Sequence, residues 1–331
     1  MDRSELLNLL RGGEFVSGEE LGQRFGVSRA AVSKAVAVLR REGWEIRSVP
    51  NRGYQLLAEP DLLTQNLVRA DLEGHPWRDL VTVLPTVDST NNRLKLLAAQ
   101  GAPAGTVLIA DCQTGGRGRM GRSFDSAAGK GIYLSLLLRP ACPPAGLMTL
   151  TAQAAVAVRR AIAAVCGVQP EIKWVNDLYL NGKKICGILT ELTLEAETGL
   201  VNYAVVGIGI NCNRPAGDFP EALRPIAGSI LSQTGRPVDR SRLAAEMIRA
   251  LFELPDLDWH GEYTAACMNL GRPVSILAPG RPPEEALALS IGPQAELIVR
   301  TAAGETRSVN SGEVSIRDAA GGQETAGSAP A

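Results

Sequence analysis

The apolar residues of this chain change period along its length. Near the N-terminus they recur at helical spacing. Leu6, Leu7, Leu9 and Leu10 predict a short first helix closed by Gly12 and Gly13, and Leu21 and Phe25 stack at i, i+4 in a second. Ser17 stands where a cap of that second helix belongs, with Glu20 three residues on, as in a capping box. Gly26 and Val27 form a tight turn, Ser28 caps a third helix, and Val32, Val36 and Leu39 share one face of it. Two short strands follow, Trp44–Arg47 and Tyr54–Leu57, around a turn at residues 50–53. This order predicts a winged helix-turn-helix over residues 1–60, with a hinge at residues 58–61.

Helical and strand patterns then mix. A helix is expected over Leu94–Ala99, a strand over Gly131–Leu138 and a long Ala/Val helix over Leu150–Val165. A strand over Ile172–Leu180 turns at Asn181–Gly182, a hairpin signal, into Lys183–Glu191, and Val205–Asn213 is a further apolar strand. This is an α/β domain over residues 61–268. From Leu270 the elements shorten: Pro273–Leu277, Ala286–Ile291, Glu296–Arg300 and Val314–Arg317 have the spacing of a small β-barrel, over residues 269–318. Residues 319–331, rich in Ala, Gly, Ser and Thr, predict a disordered tail.

Composition narrows the classes. With 331 residues, 45% hydrophobic and 21% charged, the chain is an ordinary globular protein of about two domains' length. Thirty-four basic against 35 acidic residues leave a net charge of −1, so no global field attracts nucleic acid and any such site must be local. One local cluster exists: between Arg24 and Gly53 there are seven basic residues and two acidic ones, a net +5. A helix-turn-helix sets the start of its recognition helix in the major groove, which here carries Ser28, Arg29, Ser33 and Lys34. Arg47 and Arg52 on the wing would meet phosphate. Some winged helices only pair proteins; the charge favours DNA.

The six cysteines are scattered without a CxxC pair, which predicts reduced, mostly buried thiols. His75 and His260 are the two histidines, and neither sits beside an obvious nucleophile, so triads and His-rich metal sites are excluded. Residues 1–5 lack the start of a secretory signal, and no run approaches the ~18 apolar residues of a membrane span, so a soluble, cytoplasmic chain is expected. Lysines, arginines and backbone amides should carry any chemistry.

Four motifs fit that expectation. DSTN at 88–91 is a polar strand-to-helix turn, and QTGGRGRMGR at 113–122 interleaves four glycines with Arg117, Arg119 and Arg122. Close-set arginines repel unless anions lie among them, and glycine lets backbone amides approach a ligand. No Gly-Lys-Ser/Thr ends the loop, so it is not a Walker loop. KWVNDLYL at 173–180 continues into GKKICGIL at 182–189, and VVGIGINCN at 205–213 is an apolar strand broken by glycines. Asn176 and Asn211 offer the paired donor and acceptor that could read an adenine edge. Asp177 could hold magnesium or position an incoming amine.

These motifs, in this order, resemble the biotin–protein ligase family, and the N-terminal module resembles its bifunctional kind, ligase plus biotin-operon repressor. The resemblance runs from about residue 5 to Arg317. It implies an α+β multidomain protein: a winged helix, a class II synthetase-like α/β ligase domain and an SH3-like barrel ending in Gly312, Glu313 and Arg317. It further implies ATP, magnesium and biotin as ligands. ATP would activate the biotin carboxylate as biotinyl-5′-AMP, which a lysine of a biotin carboxyl-carrier domain then attacks. Operator DNA and a second copy of the chain would be the other partners, with the adenylate as corepressor.

By the same resemblance Ser89, Thr90, Asn91, Gln113, Gly116, Arg117 and Gly118 line the biotin pocket. Gly187, Gly207 and Gly209 leave room along the ligand. Lys184 is the catalytic lysine between carboxylate and phosphate, Arg119 faces both from a loop that orders on binding, and Asp177 assists. Arg122 and Phe124 join Asn176 and Asn211 at ATP. Two departures stand out: the family usually has Trp where this chain has Phe124, and Pro where it has Val175. A ligase whose winged helix has lost DNA, a catalytically dead repressor and a lipoate ligase are the rival readings. Intact Arg119 and Lys184 oppose the second; the winged helix, the arginine loop and the C-terminal strands oppose the third.

Overall fold

The computed structural model describes residues 3–41, 44–58, 61–277, 282–310 and 313–316. They form two compact units, one ending at Leu62 and one beginning at Leu63.

The first unit holds α1 (Arg3–Leu10), α2 (Gly18–Phe25), α3 (Arg29–Arg41) and the antiparallel pair β1 (Glu45–Val49) and β2 (Gly53–Ala58). Its core is the set the periodicity selects: Leu6, Leu10, Leu21, Val32, Val36 and Leu39, joined by Ile46 and Leu56. Ser17 Oγ accepts from the Glu20 amide at 3.0 Å, and Gly26, left-handed at φ 62°, closes α2. The wing is tied down twice. Arg40 donates through Nε to Ile46 O at 2.8 Å, and through its second nitrogen to Ser48 Oγ at 2.6 Å. Gly53 has φ 103°, and a Cβ there would lie 2.1 Å from Val16 O, so only glycine lets β2 bridge to Val16.

The second unit is built on a seven-stranded sheet. Its strands are β3 (Val81–Leu84), β4 (Val107–Ala110), β5 (Gly131–Leu138), β6 (Glu171–Lys173), β7 (Asp177–Leu180), β8 (Lys183–Leu194) and β9 (Val201–Asn211). They lie in the order β3-β4-β5-β9-β8-β7-β6, and only the β3–β4 pair is parallel. Period-two alternation splits the apolar residues between two faces. Leu108, Leu137 and Val205 pack with Leu94 and Ala98 of α5 (Thr90–Ala99). Ile109, Leu134, Leu136 and Val206 belong to a larger core with α4 (Gln65–Asp71), α6 (Leu150–Cys166), α7 (Ile230–Thr234), α8 (Arg240–Phe252) and α9 (His260–Ala266).

The C-terminal strands β10 (Pro273–Leu277), β11 (Glu284–Ile291), β12 (Leu297–Thr301), β13 (Thr306–Val309) and β14 (Glu313–Ile316) form an antiparallel sheet in the order β13-β12-β11-β10-β14. Val274, Ala288, Leu297 and Val299 share the large core of the ligase-like sheet rather than closing a core of their own. The reason is visible at Trp174, whose indole Nε1 donates to Ala295 O and whose amide donates to Asn269 Oδ1, both at 2.8 Å. Gly312, Arg317 and residues 319–331 lie outside the described residues.

The stretch Pro144–Cys166 is long and apolar enough, by length and composition alone, to cross a membrane. Ala152, Ala154–Val158, Ala161 and Ile162 of this helix are buried in the core, which accounts for its composition.

Candidate active site

Three segments converge on the glycine-bearing stretch of β8 and β9. The turn before α5 comes first. Ser89 caps the helix, accepting from the Asn92 amide at 3.4 Å. Thr90 donates from its amide to Gln113 Oε1 at 2.9 Å, and Gln113 Nε2 donates to Ser126 Oγ at 2.9 Å. Ser89, Thr90 and Asn91 are all buried.

The arginine loop is a pinned arch. Its feet are fixed by the Gln113–Ser126 bridge and by two ion pairs, Asp111–Arg240 at 2.5 Å and Asp125–Arg214 at 2.8 Å, whose arginines are buried. Within it Arg117 bridges Ser123, and Gly118 donates to Arg122 O at 2.7 Å. At the tip, Met120 is left-handed (φ 55°) and 59% exposed. Gly116 serves the arch: a Cβ there would sit 2.3 Å from Phe124 O and 2.6 Å from Ser126 Oγ.

Arg119 turns inward and donates to Asn176 Oδ1 at 3.0 Å, while Asn176 Nδ2 donates to Ile188 O at 2.9 Å. The next residue, Asp177, opens β7 and pairs through Oδ2 with Lys184 Nζ at 2.7 Å. Asp177 Oδ1 is buried without a hydrogen-bond partner. Lys184 and Phe124 flank one point, since a Cβ on Gly187 would lie 3.3 Å from Lys184 Cε and 3.5 Å from the Phe124 ring. Two cations and an aromatic face therefore border a glycine-floored strip, the arrangement a carboxylate, a phosphate and a base would complement. Burial, aided by the charge of Asp177, pushes the neighbouring Cys186 thiol far up; it stays protonated at neutral pH and is no nucleophile.

Several expected ligand contacts are occupied by the protein itself. The space beside Gly209 holds the Phe124 ring, 2.6 Å from where a Cβ would stand, and that beside Gly207 holds Asn91 Oδ1, at 2.2 Å. Asn211 donates to Gly228 O at 3.0 Å, so its amide orders the following loop, and Asn176 is engaged at both ends. Val175 follows Trp174 through a cis peptide. Of the cysteines, Cys186, Cys212 and Cys267 are buried, whereas Cys112, Cys142 and Cys166 are half-buried, fewer inside than expected. Among the described residues no group of three or more His, Cys, Asp or Glu gathers around one point.

Sequence reasoning passed over Lys95, Ser135 and Glu191. Glu191 binds Lys95 Nζ and Asn91 Nδ2, each at 2.8 Å, and Ser135 lies 2.5 Å from Asn91 Oδ1. A signal was present: Asn91 and Lys95 are spaced i, i+4 on one helix, and Glu191 interrupts an apolar strand.

In the first unit Ser28, Arg29, Ser33, Lys34, Arg47 and Arg52 are all exposed. Ser28 Oγ accepts from the Ala31 amide at 3.3 Å, capping α3. Arg29 pairs with Glu19 across the turn, and Arg52 stacks 4.4 Å over the Phe15 ring. The Arg29 pair is mostly exposed and therefore weak enough to exchange for a phosphate or base.

Both units are similar to known proteins. The family described as biotin/lipoate A/B protein ligase matches residues 83–211, and an HTH domain matches residues 3–55. The bifunctional ligase/repressor BirA of Bacillus spizizenii is 41% identical over 241 residues, 72% of this chain and 74% of the relative. BirA of Escherichia coli K12 is 36% identical over 254 residues, 75% of this chain and 74% of the relative. The biotin protein ligase of Aquifex aeolicus, solved with biotin and ATP, superposes with a TM-score of 0.61 at 28% identity, covering 72% of this chain and 98% of that one. With motifs, sheet and relatives in agreement, this chain belongs to the biotin–protein ligase family, among the members that carry an N-terminal helix-turn-helix domain.

Proposed function

We propose that this chain joins biotin to a lysine of a biotin carboxyl-carrier domain at the expense of ATP, and represses biotin genes when it holds the intermediate. The observation that carries the ligase reading is the convergence of Arg119 and Lys184 on adjacent residues, Asn176 and Asp177. Two inward-turned cations await an anion between them. A carboxylate oxygen of biotin attacks the α-phosphorus of ATP, pyrophosphate leaves, and biotinyl-5′-AMP results. The substrate is its own nucleophile, so no histidine base is required. Lys184 and Arg119 stabilise the charge that builds on the phosphorus oxygens, in a site where such donors count for more than in water. The acceptor amine then attacks the acyl carbon, loses a proton, and AMP departs.

Ligand binding must exchange partners. Lys184 leaves Asp177 for phosphate, and Arg119 leaves Asn176, freeing that amide for adenine. Phe124 moves off Gly209 or stacks on the base. Closing the arch over the adenylate keeps water from the anhydride. Magnesium would supply charge neutralisation at the triphosphate, and Asp177, with its unpartnered Oδ1, fits as the carboxylate that would hold it on the protein side.

For the repressor half, the exposed basic face of α3 and the wing supplies half-site contacts. Two copies would read half-sites about 34 Å apart or a multiple of it. The adenylate favours the dimer, and by linkage its effect on operator affinity is bounded by its preference for dimer over monomer.

ATP-dependent transfer of biotin to a carrier-domain lysine, with lipoate as control, tests the ligase; transfer of lipoate alone would overturn it. Sedimentation and operator titration at one salt concentration test the repressor. Adenylate is expected to tighten both assembly and operator binding; no change in either would leave a ligase only.

A further inference from the structure

The Lys95–Glu191 pair stands seven residues along β8 from Lys184, at the root of the polar wall. Asn91 and Lys95 stand one turn apart on α5 and both reach the Glu191 carboxylate from β8 at 2.8 Å. A carboxylate only accepts, so it fixes the Asn91 amide with Nδ2 facing it; Nδ2 also reaches Leu189 O at 3.4 Å. Asn91 Oδ1 must then face Ser135 Oγ, 2.5 Å away. Ser135 is wholly buried and has one proton for two neighbours, since Thr90 Oγ1 lies 2.8 Å from it. Asn91 Oδ1 cannot donate, so the Ser135 proton goes there. The Thr90 hydroxyl is left as a donor, with Gln113 Oε1 at 3.0 Å. Gln113 Oε1 also accepts the Thr90 amide, which turns Nε2 to Ser126.

One negative charge thus sets the hydrogen-bond direction of Asn91, Ser135 and the Thr90 hydroxyl in sequence, and brings that hydroxyl as a second donor to the Gln113 Oε1 that the Thr90 amide already fixes. Asn91 Oδ1 fills the space that a side chain at Gly207 would take, 2.2 Å from where its Cβ would stand. Burial raises the Glu191 carboxyl, but the bonds from Lys95 and Asn91 and the charges of Lys95 and Arg117 outweigh it and hold the group below its usual range. The acid is therefore charged at neutral pH.

We propose that Glu191, held by Lys95, is a positioning residue that sets the donor and acceptor polarity of this wall to match the neutral cyclic urea of biotin. This rests on the biotin reading above. The cationic Lys184 and Arg119 suit the carboxylate end, and the uncharged hydroxyl and amide wall suits the urea, with two N–H donors and one carbonyl acceptor.

The test is Glu191→Gln in the full chain. The shape is kept, but the new amide offers its oxygen to Lys95 and its NH2 to Asn91. Asn91 then turns over, and the donors of Ser135 and the Thr90 hydroxyl reverse, which takes a donor away from the fixed Gln113 Oε1. Calorimetry with biotin should show affinity falling about tenfold or more, by loss of a matched hydrogen bond or two. The KM for ATP, kcat at saturating biotin and the thermal midpoint should barely move. The analogue whose urea carbonyl is replaced by an imine, a donor in place of an acceptor, should lose less than threefold. Adding Asn91→Asp to Glu191→Gln restores the direction, because the new carboxylate accepts from both the new amide and Ser135; biotin affinity should return in part.

Unchanged biotin affinity in Glu191→Gln overturns the inference. So do equal losses for both ligands accompanied by a fallen midpoint, which mark a merely structural role. A wild-type protein that binds no biotin overturns the reading beneath it instead.

Discussion

The helix-turn-helix and the candidate ligase site both present arginine and lysine, but in opposite states of engagement. Arg29, Lys34, Arg47 and Arg52 stand exposed on α3 and the wing, and the two contacts recorded for them, Arg29 with Glu19 and Arg52 over Phe15, are at the surface. In the ligase site, Arg119 and Lys184 are half-buried and already hold protein partners, Asn176 and Asp177. An exposed cation acts through its field, which salt screens and small shifts hardly alter. A cation in a cleft acts through geometry and must give up one partner to gain another. The first kind of site is nearly additive in its residues; the second is switched as a unit.

The largest effect should come from Lys184→Ala. Adenylate formation is expected to fall about 10²–10³-fold with the fold intact, the scale of removing a preorganised donor to developing charge. Single-turnover pyrophosphate release measures it, and near-normal release by a folded variant would break the contrast at its centre. Arg119→Gly should speed escape of the adenylate by about 10–100-fold, the value of one or two charged hydrogen bonds, while slowing its formation less. Competition with unlabelled biotin gives that rate. An unchanged rate would move the clamp to Arg117 or Arg122.

On the exposed side, Lys34→Ala should weaken operator binding several-fold and lower the slope of log affinity against log salt by about one, with adenylation untouched. A drop in adenylation would show that the two regions are not independent.

Gly207→Ala asks whether the cleft tolerates crowding. Its new methyl would meet Asn91 Oδ1 at 2.2 Å, and the buried asparagine must shift. A stability loss of about 1–3 kcal/mol is expected from overpacking, read as a lower denaturation midpoint, together with weaker biotin binding.

The smallest effect concerns Glu262, which pairs with Arg160 between α9 and α6. The hydrogen bond from Arg160 holds its carboxyl below the ordinary value of 4.5, so its stabilisation is present above that pH and is lost as pH falls through the lowered value. Glu262→Gln should therefore lower the thermal midpoint slightly at pH 7, and the gap should close in acid. The pair is more than a third exposed, so the gap is small. A gap that widens in acid would reverse the sign of this argument.

The contrast also explains what could be read beforehand. The winged helix was legible almost residue by residue, because its core follows one helical stripe per element and its candidate residues lie on the opposite, exposed faces. The glycine–arginine loop stood out as a candidate anion site for a similar reason: local composition that no packing need explains. The glycines of β8 and β9 were only half legible. Their presence marked close approach, but what approaches is Phe124 and Asn91, brought from segments far away in the chain.

By itself the sequence determined the three helices and wing of the first unit, the basic face of α3, the hairpin at Asn181–Gly182 and the four motifs. These are local properties of periodicity, charge and turn chemistry. The sequence by itself left out α4, β3 and β4 and joined β6 and β7 into one strand. Only the tertiary structure decided that Lys184 answers Asp177 across the hairpin, that Arg119 reaches Asn176, and that the C-terminal sheet shares the ligase core through Trp174. It alone placed Glu191 beneath Asn91, 100 residues away in sequence. Hydrogen bonds have direction and short reach, so their partners are set by which strands lie side by side, and pairing across a sheet is not written at any one position in the chain.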